Sequence, residues 1–424
     1  MSNKAEKRGL VPRLRFPEFR EAGGWGEKRL EDFAIIVRGG SPRPIDEYIT
    51  SDTHGLNWLK IGDIDKESKF VTSTQEKVIP AALSKTRVVN PGDLILSNSM
   101  SFGRPYILEI ETCIHDGWIA VSEINKSLDR DYLYYLMMTS ASQTYFSNNA
   151  AGSGVQNLNA DIIKHLPVSY PNKKEQQKIA DCLASLDELI TLEAQKLDTL
   201  KTHKKGLMQQ LFPAEDETLP KLRFPELREA GKWEEATLGA IAKITSGGTP
   251  NRAEPNYWGG SIPWVTTSLI DFNRIDETEE FITTEGLKNS SAKLFPVKTL
   301  LMAMYGQGKT RGKVALLSIE AATNQACAAI MLNKEVDTNF VFYNLASRYD
   351  EIRKLSNEGG QENLSAGLIK NISVIIPSLP EQQKIADCLV SLDDLITAQA
   401  LKLAALKTHK KGLMQQLFPA LGDE

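Results

Sequence analysis

The chain is predicted to be α+β, with two tandem mixed α/β globules separated by an antiparallel two-helix coiled coil, the whole forming an internal pseudo-two-fold repeat. Three observations carry that prediction. The segment EQQKIADCLASLDELITLEAQKLDTLKTHKKGLMQQLFPA at 175–214 returns at 381–420 with 33 of 40 positions identical and a constant offset of 206. A shorter segment, PRLRFPEFREAGGWGEKRLEDFA at 12–34, returns at 220–242 with 14 of 23 positions identical. Between these copies lie two stretches that keep one order of strand and turn signals while sharing little identity. Duplication on this scale sets the architecture before any local element does.

The segments follow one another as an arm (1–34), a globule (35–174), a helix (175–214), a linker with the second arm (215–242), a second globule (243–380), and a second helix with its tail (381–424). Helix one leads into arm two, and helix two ends where arm one would begin again. This cyclic order predicts that the two termini lie close together.

The repeated forty residues read as helix. Ile179, Leu186, Leu200 and Leu207 recur at seven or fourteen residues, and Leu183, Ile190, Leu197 and Leu211 form a companion seam. The second copy repeats this with Ile385, Leu392, Leu406 and Leu413, and with Leu389, Ile396, Leu403 and Leu417. An apolar period of 3.5 is the coiled-coil signature. Glu193/Gln399 and Lys204/Lys410 interrupt it at matching places, where polar side chains can set register. Pro213 and Pro419 end the helices. At ~1.5 Å per residue such a helix is roughly 50 Å long.

Each globule opens with a glycine turn, Arg38-Gly39-Gly40-Ser41-Pro42 or Ser246-Gly247-Gly248-Thr249-Pro250. A Trp-bearing strand follows at 57–64 or 262–270, then a strand pair at 93–110 or 299–317. Helical stretches at 131–148 and 338–355 precede a turn in which Asn159 or Ser365 stands where an N-cap would start a short helix.

Composition narrows the class. The chain is 41% hydrophobic and 25% charged, as globular domains are. No apolar run approaches the length of a membrane span, and the polar start MSNKAEKRG does not read as a signal peptide, so a cytoplasmic protein without membrane contact is expected. Cys113, Cys182, Cys327 and Cys388 include no CxxC pair, and buried reduced thiols are expected. The net charge of −4 confers no general basic character. Residues 35–174 hold 14 Lys+Arg against 15 Asp+Glu, and residues 243–380 hold 14 of each. Any nucleic-acid face must therefore be segregated from acidic stretches such as DETEE at 276–280.

Enzyme chemistry finds little support. AMYGQGKT (303–310) resembles a phosphate loop, but the following RGKVALL reads as a strand, not the helix such a loop needs. Cys113-x-His115-Asp116 lacks the spacing of a zinc set and has no visible doubled partner, so it reads as a core edge. No catalytic residue, metal ligand or cofactor is nominated.

The LRFPE arm, the GG[ST]P turn, the YGQGKTRG hairpin, the NL turn before a short helix and the EQQKIAD helix start (Pro171 to Asp181, Pro377 to Asp387), all in doubled order, resemble the specificity subunit of type I restriction–modification systems. The resemblance spans essentially the whole chain. It implies two target-recognition domains, each reading half of a bipartite asymmetric double-stranded DNA target. It implies paired helices that dock two copies of a methyltransferase subunit, with restriction/motor subunits joining through the complex and no chemistry in this chain. Two identical helix–arm faces agree with two copies of one partner, and two divergent globules with two unlike half-sites.

On that reading, glycine turns flanked by cations are candidates for close phosphate approach through free backbone N–H groups. The DNA-contact candidates are Arg38, Gly39, Gly40, Ser41, Arg43, Lys60 and Arg104 in globule one. In globule two they are Gly247, Gly248, Thr249, Asn251, Arg252, Tyr305, Gln307, Lys309, Arg311 and Lys313. Arg43, Arg104, Gln307 and Arg311 suit base edges best, since Arg reads guanine and Gln adenine in the major groove. Two other classes stay open: a coiled-coil protein adaptor, and an NTP-binding enzyme using Lys309.

Overall fold

The computed structural model describes residues 10–65, 67–98, 102–150, 157–215, 217–306, 309–355 and 363–419. The chain divides into two compact units, 1–193 with 402–424, and 194–401. Each unit therefore holds one globule, the first half of the helix that follows it and the last half of the other helix.

In unit one, a five-stranded sheet runs in the order Ile35–Arg38, Trp118–Ser122, Leu94–Ser97, Pro105–Leu108, Phe70–Val71. Its three central strands are buried on both faces, and alternation decides which side chain goes where. Leu94, Leu96, Ile107, Ile119 and Val121 pack against helix Arg130–Met138 through Tyr132, Leu133 and Leu136. Ile95, Tyr106, Leu108 and Ala120 face a second five-stranded sheet, which supplies Leu59, Val89 and Ile114. The globule is thus layered helix, sheet, sheet. The expected strand pair is present as Leu94–Ser97 and Pro105–Leu108, paired antiparallel. The first Trp-bearing strand is shorter than the run 57–64 suggested: Leu56–Leu59 is strand, and a 3-10 turn takes over at Ile61–Asp63.

Unit two repeats the plan. Its five-stranded sheet is Ala242–Ser246, Cys327–Leu332, Leu300–Ala303, Val314–Leu317, Arg274–Ile275. Leu300, Met302, Val314, Leu316 and Ile330 face helix Thr338–Ser347, while Leu301, Ala303, Ala315 and Leu317 face a four-stranded sheet around Val265 and Phe295. The helical stretches predicted as single are each two helices, Arg130–Met138 with Ser140–Asn149 and Thr338–Ser347 with Tyr349–Lys354. Asn159 and Ser365 cap the next helices, their side chains accepting from the N–H groups of Ile162 and Leu368. The cysteines are free thiols; Cys113 and Cys327 are buried, Cys182 and Cys388 half-buried. Burial pushes the Cys113 thiol up to about 11 and the Cys327 thiol to about 12.

The long helices run Lys173–Leu211 and Leu379–Leu417, starting two residues before the repeated segment. Their first turns explain the EQQ motif. Glu175 takes both Nε and an Nη of Arg15 at 2.7 Å, and Glu381 takes those of Arg223 at 2.8 and 2.6 Å. The Gln176 side-chain oxygen accepts the N–H of Asp129 at 2.7 Å, and Gln382 that of Asp337 at 2.8 Å, which ties each helix start to the N-cap of its globule's helix.

Pairing is antiparallel. In unit one Asp187 meets Lys410 and Glu193 meets Lys402; in unit two Asp393 meets Lys204. The termini, residues 1–9 and 420–424, lie outside the described residues, but each arm is bonded to the end of a long helix. Leu14 N–H donates to the Gln416 carbonyl at 2.9 Å in unit one, and Leu222 N–H to the Gln210 carbonyl at 2.9 Å in unit two.

Candidate nucleic-acid interface

At one edge of each central sheet, four loops meet through backbone hydrogen bonds. In unit one Gly39 N–H donates to Trp118 O (2.9 Å), Gly40 N–H to Ile114 O (3.1 Å), Asn98 N–H to Gly117 O (3.0 Å) and Leu158 N–H to Asn98 O (3.0 Å). Unit two has the same ladder: Gly247 to Cys327 (3.3 Å), Gly248 to Thr323 (2.7 Å), Met304 to Ala326 (2.8 Å) and Leu364 to Met304 (2.9 Å). The glycine turn, the loop before the second sheet strand, the hairpin start and the NL turn thereby form one surface.

This corrects the expectation for the glycines. Their N–H groups are spent on sheet carbonyls and cannot cradle a phosphate. The glycines are needed for close strand approach: a Cβ on Gly39 would lie 2.2 Å from the His115 carbonyl oxygen, and one on Gly247 2.1 Å from that of Thr323.

In unit one the polar candidates converge on Asp116. Arg38 Nε donates to the Asp116 backbone carbonyl at 2.8 Å, the Ser41 hydroxyl donates to Oδ1 at 2.9 Å, and an Arg43 Nη lies 3.6 Å from Oδ2. His115 Nε2 is 3.1 Å from Oδ1. Burial works to raise the Asp116 carboxyl, but the Ser41 hydroxyl with His115, Arg38 and Arg43 outweighs it and holds the group below the ordinary aspartate value. Lys60 pairs with Glu76 at 2.6 Å. Ser41, Arg43, Lys60, Glu76 and His115, with Trp58 and Ile45, line a cleft of about 620 Å³.

Unit two builds its version from different residues. The Thr249 hydroxyl donates to the Gln325 side-chain oxygen. Asn251 accepts the Ala253 N–H on its side chain and the Trp258 indole N–H on its carbonyl, each at 3.1 Å. Arg252 pairs with Glu280 at 2.5 Å and stacks over Trp258 and Trp264, 3.8 and 4.8 Å from their ring centres. Glu76 and Glu280 hold one position, opposite Trp58 and Trp264 in register. One globule satisfies that carboxylate with Lys60, the other with Arg252.

The hairpin candidates divide. Arg104 is half-buried, its guanidinium over Tyr106 and donating to the Ser68 carbonyl at 3.4 Å. Arg311 donates to the Arg353 carbonyl at 2.9 Å, and Lys313 pairs with Asp271 at 2.5 Å. Arg104 and Lys313 thus tie the hairpin to neighbouring loops, and Arg311 ties it to helix Tyr349–Lys354. Tyr305 and Lys309 are exposed. Gln307 lies outside the described residues. The phosphate-loop alternative loses its geometry, since Leu300–Ala303 and Val314–Leu317 pair antiparallel, with no helix between them among the described residues.

The helix-pairing residues are all at least partly covered. Ile179 and Leu183 join the core of globule one beside Leu417, and Ile385 and Leu389 join that of globule two beside Leu211. Leu197 is buried. Leu186, Ile190, Leu200, Leu207, Leu392, Ile396, Leu403, Leu406 and Leu413 are half-buried along the helices.

Sequence reasoning missed Asp116, Gln325, Glu76 and Glu280, and read His115-Asp116 as a core edge without a doubled partner. The ladder supplies that partner: His115-Asp116 corresponds to Asn324-Gln325. The only available signal was position, two residues before the strand that receives the glycine turn.

The family described as the type I restriction modification DNA specificity domain matches this chain twice, at residues 22–202 and 230–408. The chain is 24% identical to the type I restriction enzyme MjaVIII specificity subunit of Methanocaldococcus jannaschii, over 96% of this chain and 93% of that one. It is 26% identical to the EcoR124I/EcoR124II specificity subunit of Escherichia coli, over 64% of this chain and 65% of that one. Its fold is similar to the crystal structure of the type I restriction–modification S subunit from M. genitalium, with a TM-score of 0.60 and 17% identity, covering 97% of this chain and all of that one. With two copies of the domain over most of its length, the chain belongs to the type I restriction–modification DNA specificity family and is a non-catalytic specificity subunit that recognises a DNA target.

Proposed function

We propose that each globule reads one half of a bipartite, asymmetric double-stranded DNA target, through the surface where its four loops meet. The observation that carries this reading is one backbone ladder bearing unlike side chains: Arg38, Ser41, Arg43 and Asp116 in globule one, and Thr249, Asn251, Arg252 and Gln325 in globule two. A shared scaffold presents its loops in the same pose, and differing polar groups then read different bases. Exposed Lys309 and Tyr305 extend the surface for phosphate and sugar contact.

The repeated arms and helices serve the partners. Arg15–Glu175 and Arg223–Glu381 fix each arm on a helix start in the same way, which supports two equivalent seats for two copies of a methyltransferase subunit. Restriction/motor subunits join through that complex, and the work is done in the cytoplasm. Among the described residues no helix is long and apolar enough to cross a membrane.

The test is to co-express the chain with its modification subunit and map methylated sites across a genome. The expected result is one interrupted motif with two unlike halves. Replacing residues 35–174 with the corresponding region of another family member should change one half only; a change in both would refute two independent readers. A stable complex that methylates nothing new would favour the protein-adaptor reading. Lys309→Ala should weaken DNA binding of the complex about equally across sequences and reduce its salt dependence by about one phosphate contact.

A further inference from the structure

Within the shared ladder, one position carries different chemistry in the two globules while the backbone bonds around it and the turn hydroxyl that reaches it recur in both. The loop residue before it is structural in both. His115 Nδ1 accepts the N–H of Gly117 at 2.9 Å, and Asn324 Oδ1 accepts the N–H of Ala326 at 3.0 Å. Each closes the same two-residue turn. The residue after it, Gly117 or Ala326, gives its carbonyl to the hairpin start. Between them stand Asp116 and Gln325, and each receives the hydroxyl of the GG[ST]P turn, from Ser41 or Thr249. Asp116 is half-buried and Gln325 is exposed. A carboxylate only accepts, whereas a carboxamide both accepts and donates.

We propose that Asp116 and Gln325 are specificity-determining residues, each contacting a base edge at the corresponding position of its half-site. This rests on the two-reader function above. Gln325 fits adenine, with its oxygen accepting from the N6 amine and its NH₂ donating to N7. Asp116 fits cytosine, accepting from the N4 amine. The Ser41 hydroxyl and His115 approach Oδ1, and Arg43 lies 3.6 Å from Oδ2, so each oxygen keeps a lone pair for a further donor. The hydroxyls of Ser41 and Thr249 hold the reading groups in place before DNA arrives, which suits a contact that must discriminate.

The experiment uses the complex with its modification subunit and compares wild type with Asp116→Gln and Gln325→Glu. Methylated motifs are mapped first. The expected result is that Asp116→Gln alters or relaxes one base of one half-site, and Gln325→Glu one base of the other, with the remaining bases unchanged. Binding to duplexes substituted one base pair at a time gives the second readout, and also serves a variant that no longer supports methylation. Discrimination at that single position should fall about tenfold or more. Unchanged motifs and unchanged discrimination would overturn the proposal, as would a loss of affinity equal at every position, which marks a positioning role only. The two-reader function is judged separately on the wild-type complex: if it methylates no interrupted motif, that reading fails before any variant is considered.

Discussion

The Asp187 carboxylate joins three elements of unit one: Lys410 of the second long helix pairs with its Oδ1, and the Tyr135 hydroxyl of the globule donates to its Oδ2 at 2.7 Å. Unit two repeats the arrangement with the copies exchanged, Asp393 holding Lys204 and accepting from Tyr343 at 2.6 Å. Burial and the neighbouring carboxylate both push the Tyr135 phenol well above its ordinary value, so it remains a donor. Asp187→Ala strands a half-buried ammonium and a phenol. Charge-assisted hydrogen bonds of this kind contribute about 1.5–3 kcal/mol, so a destabilisation of that order is expected. Hydrogen exchange should show weakened protection of Arg130–Met138, with the matching helix Thr338–Ser347 unchanged. Equal loss in both units would refute a local role.

Arg15 and Glu175 form a pair with only 8% and 1% of their side chains exposed, and Arg15 also donates to the Ala22 carbonyl at 2.7 Å. Arg15→Ala should destabilise unit one by about 3–5 kcal/mol, because a carboxylate is left buried without a partner. Arg15→Met combined with Glu175→Leu should recover most of that loss. Arg15→Lys should not, since one ammonium cannot reproduce the two-pronged contact. Urea unfolding of the variants decides among these outcomes.

The glycine turns yield a prediction opposite to the one their composition suggested. Gly39→Ala places a methyl against the His115 carbonyl and must push two strands apart, at a cost near the top of about 1–3 kcal/mol. Gly23→Ala meets nothing within 4 Å and should be close to neutral. Thermal melts of the two variants separate a packing glycine from a permissive one.

Asp131 makes the acid limb of stability legible. Burial acts to raise its carboxyl, but Lys69 at 2.9 Å and Arg130 at 2.6 Å prevail and hold it below the ordinary aspartate value. A depressed folded value means the stabilisation is full above the unfolded value of about 4 and is lost as pH falls through the folded one. Wild type should therefore exceed Asp131→Asn in stability at neutral pH, with the gap closing below about pH 4. A gap that widens on acidification would reverse the assignment.

Features governed by neighbours in the chain were readable without the structure. The 3.5-residue period named the helices, and the exchange of copies in Asp187–Lys410 and Asp393–Lys204 is the geometric form of a repeat visible in the letters. Asn159 and Ser365 were recognisable as caps because capping reaches only three residues ahead. Strand pairs Leu94–Ser97 with Pro105–Leu108 and Leu300–Ala303 with Val314–Leu317 followed from adjacent apolar runs around a turn.

Partners distant in the chain were decided only by the tertiary structure. Arg38 finds the Asp116 carbonyl 78 residues away, and nothing local shows that the adjoining glycine N–H groups are consumed by the same loop. The segments CIHDGW (113–118) and ATNQAC (322–327) match at no aligned position, so no comparison of letters aligns Asp116 with Gln325. Their equivalence exists in the backbone hydrogen bonds from Gly39 to Trp118 and from Gly247 to Cys327. Side-chain identity constrains the chain over a turn or two; which loops share an edge is set by how the sheet closes, and sheet closure is a property of contacts between residues that the sequence keeps apart.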